Sequence, residues 1–231
     1  MITASALVLR NSRQLAVVGA LLFSILVCCG LLGLRMTYAH NTQYYWLLWN
    51  LFLACVPAGA ALIAYNVQKH RSRLNVMVVL LCFAGWFLFF PNAPYLATDL
   101  IHLQAKPDAP FWFDLLLLLA FAWTGFFLGL VSLLLMQEVV RIKMGPYVSW
   151  LFALTMVALA SFGIYLGRFL RWNSWDVLYN PFNMLGQVAR QFRHPFMHAQ
   201  AMVFSMLFGF FMLAMYLTLT AITNFRHEGR S

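Results

Sequence analysis

Long apolar runs alternate with short polar segments along the whole chain, and this alternation predicts the secondary structure. Each apolar run has about 20 residues, which is the length an α-helix needs to cross the hydrocarbon core of a bilayer. The predicted spans are roughly residues 15–34, 44–65, 74–90, 111–136, 147–166 and 199–222. We therefore predict an all-α fold, an integral membrane helical bundle with about six transmembrane helices, forming a single transmembrane domain over residues 1–231.

Composition supports a membrane environment and argues against other classes of protein. Hydrophobic residues make up 63% of the chain and charged residues only 9%, against about 25% charged residues in soluble domains. The net charge of +9 sits in short clusters between apolar runs, a pattern typical of topology signals and contacts with anionic lipid, so no nucleic-acid partner is predicted. No GxGxxG loop, Walker loop, GxSxG elbow or CxxC pair occurs, and no cofactor is predicted.

The distribution of Lys and Arg predicts the orientation of the bundle. An even number of spans places both termini on one side, which carries nine Lys and Arg residues against six on the other side. The positive-inside rule then predicts cytoplasmic termini. Four of the six outer cations come from the single segment 167–198, and positive charge placed against the usual bias needs a separate explanation.

The polar stretch that follows the third span is the first candidate site. Pro91 and Pro94 are expected to break the preceding helix. Asn92 is expected to cap a new helix, on which Tyr95, Asp99 and His102 recur at steps of four and three and share one face. A second polar stretch, residues 168–176, follows the fifth span and emerges on the same outer face.

Buried charge near a bilayer is costly unless it is paired, so we expect Asp–Arg pairing between the two stretches. The candidate ligand-binding residues are Asn92, Tyr95, Asp99, His102, Asp114, Arg168, Arg171, Asn173, Ser174, Trp175 and Asp176. One interpretation is a structural latch made by the ion pair, in a protein whose role is structural or partner-binding. Another is an anion site on Arg168 and Arg171, which suits a lipid headgroup or an envelope precursor.

A metal-dependent membrane hydrolase is the third interpretation. His194 and His198 are four residues apart at the start of the sixth span, so on a helix they share a face. Together with His102 and an aspartate, Asp99 first or else Asp114 or Asp176, they form a candidate zinc ligand set. No HExxH signature supports this set, and Arg193 next to His194 disfavours a cation.

Three further patterns predict local packing. Gly125-x3-Gly129 and Gly163-x3-Gly167 predict close approach between helices. Asn50, inside the second span, is expected to be a helix-packing residue. Residues 184–193 alternate apolar and polar faces and predict a short amphipathic interfacial helix in the headgroup layer.

Two sequence blocks resemble a known family. They are residues 90–103, which contain Phe-Pro-Asn-Ala-Pro-Tyr and Thr-Asp-Leu-Ile-His-Leu, and residues 167–176, which read Gly-Arg-Phe-Leu-Arg-Trp-Asn-Ser-Trp-Asp. On these blocks the chain resembles domain of unknown function 1361, an uncharacterised bacterial multi-spanning membrane family, over most of its length from the second span onward. The resemblance implies a bacterial inner-membrane protein with several helices. It implies no activity, cofactor or catalytic residue.

Overall fold

Helices account for almost all of the described chain. The structure is a computed structural model that describes residues 4–68, 72–172, 176–179, 182, 186 and 199–228. Its elements are α1 (Ala4–Ala39), α2 (Trp46–Val67), α3 (Arg73–Phe89), α4 (Asn92–Tyr95), a 3-10 helix (Leu96–His102), α5 (Phe111–Met144), α6 (Pro146–Phe169), α7 (Asp176–Tyr179) and α8 (Ala199–Glu228).

The membrane bundle predicted from the apolar runs is confirmed. Among the described residues, six helical segments are long and apolar enough to cross a membrane. Large apolar side chains such as Leu15, Phe23 and Leu26 on α1 are exposed, as expected for side chains that face lipid rather than water. That the spans form a single domain stays a prediction, and the amphipathic helix predicted at 184–193 lies outside the described residues.

Helix α5 is the centre of the bundle. It contacts α1, α2, α4, the 3-10 helix, α6 and α8. Phe121, Leu117 and Leu133 on this helix are fully buried, because neighbouring helices cover it on several sides. The polar residue Asp114 near its first turn is also buried, so the start of α5 needs a compensating cation.

Residues 91–96, here called the proline segment, lie in a groove made by four glycines of α5 and α6. A Cβ atom placed on Gly125 would be 2.5 Å from the carbonyl oxygen of Ala93. Cβ atoms on the other three would lie 3.1–3.3 Å from the proline segment, Gly129 against Pro94, Gly163 against Pro91 and Gly167 against Tyr95. The close approach predicted from the two glycine patterns is therefore confirmed, and its partner is the proline segment, which lies within the candidate span Arg73–His102.

The role predicted for Asn92 as a helix cap is wrong. Pro91 occupies the N-cap position of α4 with helical backbone angles, φ −61° and ψ −25°, and no side chain caps that turn. Because the chain stays helical there, Asn92 turns back and donates from Nδ2 to the carbonyl oxygen of Phe89, at 3.1 Å. It thereby satisfies a carbonyl left without a partner where α3 ends.

The six spans alternate in direction and create two chemically different ends. We call the end that holds the C-terminal turns of α1 and α6, the 3-10 helix and the N-terminal turns of α2 and α5 the polar end. The opposite end, where α2 and α5 finish and α3 and α6 begin, is the terminal end.

Candidate functional site

Arg168, in the last turn of α6, is the hub of the first polar cluster. Its Nη2 forms an ion pair with Asp99 of the 3-10 helix, and its Nε and Nη2 donate to the Thr98 hydroxyl at 2.9 and 2.7 Å. Its Nη1 lies 3.1 Å from Nε2 of His102, and its guanidinium lies 4.3 Å from the ring centre of Tyr95. The predicted pairing between the two polar stretches is thus present.

Asp99 is fully compensated although only 1% of its side chain is exposed. One carboxylate oxygen faces Arg168, and the other accepts a hydrogen bond from Nδ2 of Asn50 at 3.0 Å. Asn50 therefore ties α2 to this cluster, in agreement with its predicted packing role. Tyr95, Asp99 and His102 do share a face, since all three contact one guanidinium. We call these residues with Thr98 and Arg168 the Arg168 cluster.

A second cluster forms around Arg35, near the end of α1. Its Nε donates to Oδ1 of Asp114 at 2.5 Å, and its Nη2 lies 3.3 Å from both Asp114 and Asp108. Tyr44 donates its hydroxyl to Asp114 at 3.2 Å, and the Asn41 amide donates to Asp108. We call these five residues the Arg35 cluster.

The Arg35 cluster corrects the predicted position of Asp114. The sequence predicts a place for Asp114 beside Arg168 and Arg171, but its partner is Arg35, and both side chains are 1% exposed. The physical reason is helix order, because α1 packs against the start of α5 and reaches Asp114 there. The signal in the sequence that could have predicted this pair is an arginine near the end of one span and an aspartate near the start of another.

A polar cavity of about 200 Å³ touches both clusters. It is lined by Gln43, Tyr44, Trp46, His102, Gln104 and Lys106. Lys106 donates from Nζ to the Tyr44 hydroxyl at 2.8 Å and lies 4.1 Å from the centre of that ring. Trp46 packs edge-on against the His102 ring with 5.1 Å between centroids. Tyr44 thus links the cavity to the Arg35 cluster and His102 links it to the Arg168 cluster.

Burial shifts the titration of two groups in the cavity wall. It raises the pKa of Tyr44 to about 12, with a further contribution from the neighbouring Asp114 carboxylate. Tyr44 is therefore a neutral donor at ordinary pH. Burial also lowers the pKa of Lys106. An anion placed in the cavity would oppose that shift by favouring the charged ammonium.

The other predicted site residues have different positions. Arg171 is exposed in a left-handed conformation, φ 59°, and forms no ion pair within the described part of the chain. Asn92 serves the end of α3, as described above, and Asp176 opens the short helix α7. Asn173, Ser174 and Trp175 lie outside the described residues. The sequence does not single out Thr98 or, apart from His102, the residues of the cavity, because its polar members stand alone in the sequence with no recurring spacing.

The proposed metal ligands are only partly described. His194 and His198 lie outside the described residues, so the metal set stays a prediction. Within the ranges that are described, no three His, Cys, Asp or Glu side chains come together. Asp99 and His102 both face the guanidinium of Arg168, and that positive charge disfavours a metal cation between them.

These features define a class of protein: a multi-pass helical membrane protein with an ion-paired polar end. The family model described as "Protein of unknown function (DUF1361)" matches residues 49–215, and the chain belongs to this family. No curated protein and no solved structure matches the chain. The matched range contains the Arg168 cluster but begins after Arg35 and Tyr44.

Proposed function

We propose that this protein is a bacterial cytoplasmic-membrane protein that binds an anionic group in the cavity at its polar end. A phospholipid headgroup and a phosphorylated envelope precursor share the required chemistry. The observation that carries the proposal is the lining of the cavity, where the Lys106 ammonium, the His102 ring and the Gln43 and Gln104 amides supply several hydrogen-bond donors. A phosphate or carboxylate accepts from such donors.

The size of the cavity indicates what fits. About 200 Å³ is below the roughly 300–1,000 Å³ of pockets for drug-sized ligands, so it holds a headgroup rather than a whole lipid. Gln43, His102 and Gln104 are exposed, so a ligand enters from outside the bundle. The aromatic rings of Tyr44 and Trp46 offer apolar walls for carbon atoms of the ligand.

Arg168 has a different role in this proposal. All of its nitrogen atoms face protein groups, namely Asp99, Thr98 and His102, so it acts as a latch that fixes His102 at the cavity. The ligand-binding role first assigned to Arg168 therefore passes to Lys106. The latch and anion interpretations of the sequence then describe two neighbouring groups of residues.

The cavity is tested with sn-glycerol 3-phosphate, a headgroup without acyl chains. Native mass spectrometry of the protein in neutral detergent should show its adduct but none with glycerol. Lys106→Gln removes the charge and should weaken binding roughly tenfold, as expected for one charge-assisted hydrogen bond. Lys106→Arg keeps the charge and should retain most of the binding.

Two controls make the result decisive. Lys143→Gln removes the same charge at the terminal end and should leave the adduct unchanged. The proposal is overturned if the wild type shows no adduct. It is also overturned if Arg171→Gln, and not Lys106→Gln, abolishes the adduct, because the site would then lie beyond the end of α6.

We also propose that both termini are cytoplasmic, which places the cavity outside the cytoplasm. The count of nine Lys and Arg residues on the terminal side against six on the other supports this orientation. A C-terminal green fluorescent protein fusion in a bacterium should fluoresce, and the matching alkaline phosphatase fusion should be inactive. The reverse pattern would contradict the orientation.

A further inference from the structure

A larger groove lies at the terminal end, far from the polar cavity along the helices. It has a volume of about 440 Å³ and lies between the end of α2, the start of α3 and the end of α5. Its lining residues are Gln68, Ser72, Arg73, Asn75, Val76, Val79, Ile142 and Lys143. The lining combines cationic and apolar side chains.

Two cations of the groove, unlike a neighbouring arginine, have no carboxylate partner among the described residues. Arg73 and Lys143 are exposed, and neither forms an ion pair with any described residue. Arg141, two positions from Lys143 on the same helix, instead donates to both carboxylate oxygens of Glu138 at 2.6 and 2.7 Å. Within the described ranges, the groove therefore presents two cations that have no carboxylate partner.

Gln68 provides an independent sign of a ligand. Its amide nitrogen and oxygen are both buried, and neither has a hydrogen-bond partner in the described structure. A buried polar group without a partner costs about 1–3 kcal/mol, so such groups normally meet protein, water or a ligand. The amide lines the groove, where a polar headgroup can reach it.

The start of α3 adds to the positive potential. The Ser72 side chain accepts a hydrogen bond from the backbone N–H of Asn75 at 3.2 Å and caps this helix. The remaining N–H groups of the first turn and the helix dipole favour a negative charge at this point. The cations on α3 and α5, the amide of Gln68 after α2 and the start of α3 thus all favour an anion in the groove.

The apolar part of the groove identifies the kind of anion. Val76 is 49% exposed and Ile142 is 58% exposed, although both belong to apolar spans. Exposed apolar side chains near the ends of membrane-spanning helices face the parts of the acyl chains that lie next to the headgroups. We propose that the groove binds an anionic phospholipid, with its phosphate at Arg73, Lys143 and Gln68 and its acyl chains along Val76 and Ile142.

Native mass spectrometry with lipids of equal acyl chains tests this proposal. The wild type should retain phosphatidylglycerol in preference to phosphatidylcholine, and inorganic phosphate alone should not compete. Arg73→Gln and Lys143→Gln should each lower the preference about fivefold, the effect of one cation near an anionic surface. The matched control Arg141→Gln removes an equal charge that is already paired, and it should change the preference less than twofold.

Gln68→Leu separates the site from general surface charge. It removes the unpartnered amide without changing the charge, so the protein without lipid should become more resistant to unfolding while phosphatidylglycerol binding weakens. Equal losses for Arg73→Gln, Lys143→Gln and Arg141→Gln, or no preference in the wild type, would overturn the proposal.

This inference stands apart from the proposed function at the other end. In a Lys106→Gln background, Arg73→Gln should still lower the phosphatidylglycerol preference about fivefold, and Gln68→Leu should leave the glycerol 3-phosphate adduct intact. If one of the two proposals is overturned, the other can therefore still be judged from its own binding measurement on the same protein preparations.

Discussion

The two ion-paired clusters of the polar end use the same chemistry in different surroundings. Arg35 and Asp114 are each 1% exposed, whereas Arg168 is 11% exposed beside a 1% exposed Asp99. Arg35 joins α1 to the start of α5, and Arg168 joins α6 to the 3-10 helix. The first pair is sealed inside the bundle, and the second borders the outside.

The charge balance also differs between the clusters. In the described part of the chain, Arg35 faces two carboxylates, Asp114 and Asp108, while Arg168 faces one, Asp99. Lys106 reaches the Arg35 cluster through Tyr44 and restores neutrality there. The sealed pair therefore holds helices together, whereas the more open pair positions His102, which lines the cavity.

Removing the carboxylate of the sealed pair should have the largest effect. Asp114→Asn leaves the Arg35 charge with only the more distant Asp108, so the free energy of unfolding should fall by about 3–5 kcal/mol. Titration with a denaturing detergent, followed by circular dichroism, measures this change. Replacing both partners, Arg35→Met with Asp114→Leu, should recover most of the loss, and a single variant within about 1 kcal/mol of the wild type would contradict the sealed role.

The equivalent change at the open pair should cost less. Asp99→Asn should lower the free energy of unfolding by roughly 2–3 kcal/mol, because Arg168 reaches solvent and keeps its bonds to Thr98. A charge swap, Asp99→Arg with Arg168→Asp, should restore part of the stability if the pair is a latch. A double-mutant cycle showing no coupling between the two residues would sink this assignment.

A substitution in the groove of four glycines that holds the proline segment should disturb the Asp99–Arg168 pair and leave the Arg35–Asp114 pair intact. Gly125→Ala places a methyl group against the Ala93 carbonyl and Leu96, so it should cost about 1–3 kcal/mol and loosen the segment that carries Asp99. Gly59→Ala on α2, where nothing lies within 4 Å of the added atom, should instead be neutral or slightly stabilising. Equal stabilities for the two variants would show that the proline segment is not held by close contact.

The smallest effect should be a pH dependence of the Arg35 cluster. Burial alone raises the pKa of the Asp108 carboxyl, but hydrogen bonds from Asn41 and Arg35 outweigh it and hold the pKa below its usual value. The folded state therefore binds fewer protons than the unfolded state near pH 4, so this stabilisation is present above that pH and is lost as the pH falls through the folded-state pKa. Thermal unfolding of wild type and Asp108→Asn between pH 5 and pH 3 checks it, and identical slopes would refute it.

Several of these features follow from the sequence by simple physics. Apolar runs of membrane-spanning length leave few alternatives to a helical bundle. The cost of buried charge predicts that Asp99 seeks an arginine, and the two polar stretches at one end of the bundle supply Arg168. Pro91 predicts the end of α3, which finishes at Phe89.

Other features depend on information that hydropathy does not carry. The choice of Arg35 for Asp114 depends on which helices are neighbours in space. The glycine patterns predict that another part of the chain packs closely against α5 and α6, but they do not specify that this part is the proline segment. The cap predicted at Asn92 fails because Pro91 keeps a helical backbone, and the cavity joins isolated polar residues from two separate loops.

The proline segment has a consequence for biosynthesis. The groove that holds it is made by Gly125, Gly129, Gly163 and Gly167, all of which are translated after the proline segment. The third span therefore reaches the insertion machinery before the glycines of α5 and α6 have been synthesised. At that stage Asp99 has no ion-pair partner, because Arg168 has not been synthesised either. The segment can therefore pack fully only after α6 has been made, and a cysteine placed at the buried Ala93 or Leu96 should react with aqueous labelling reagents on a ribosome stalled before α6 but not in the finished protein.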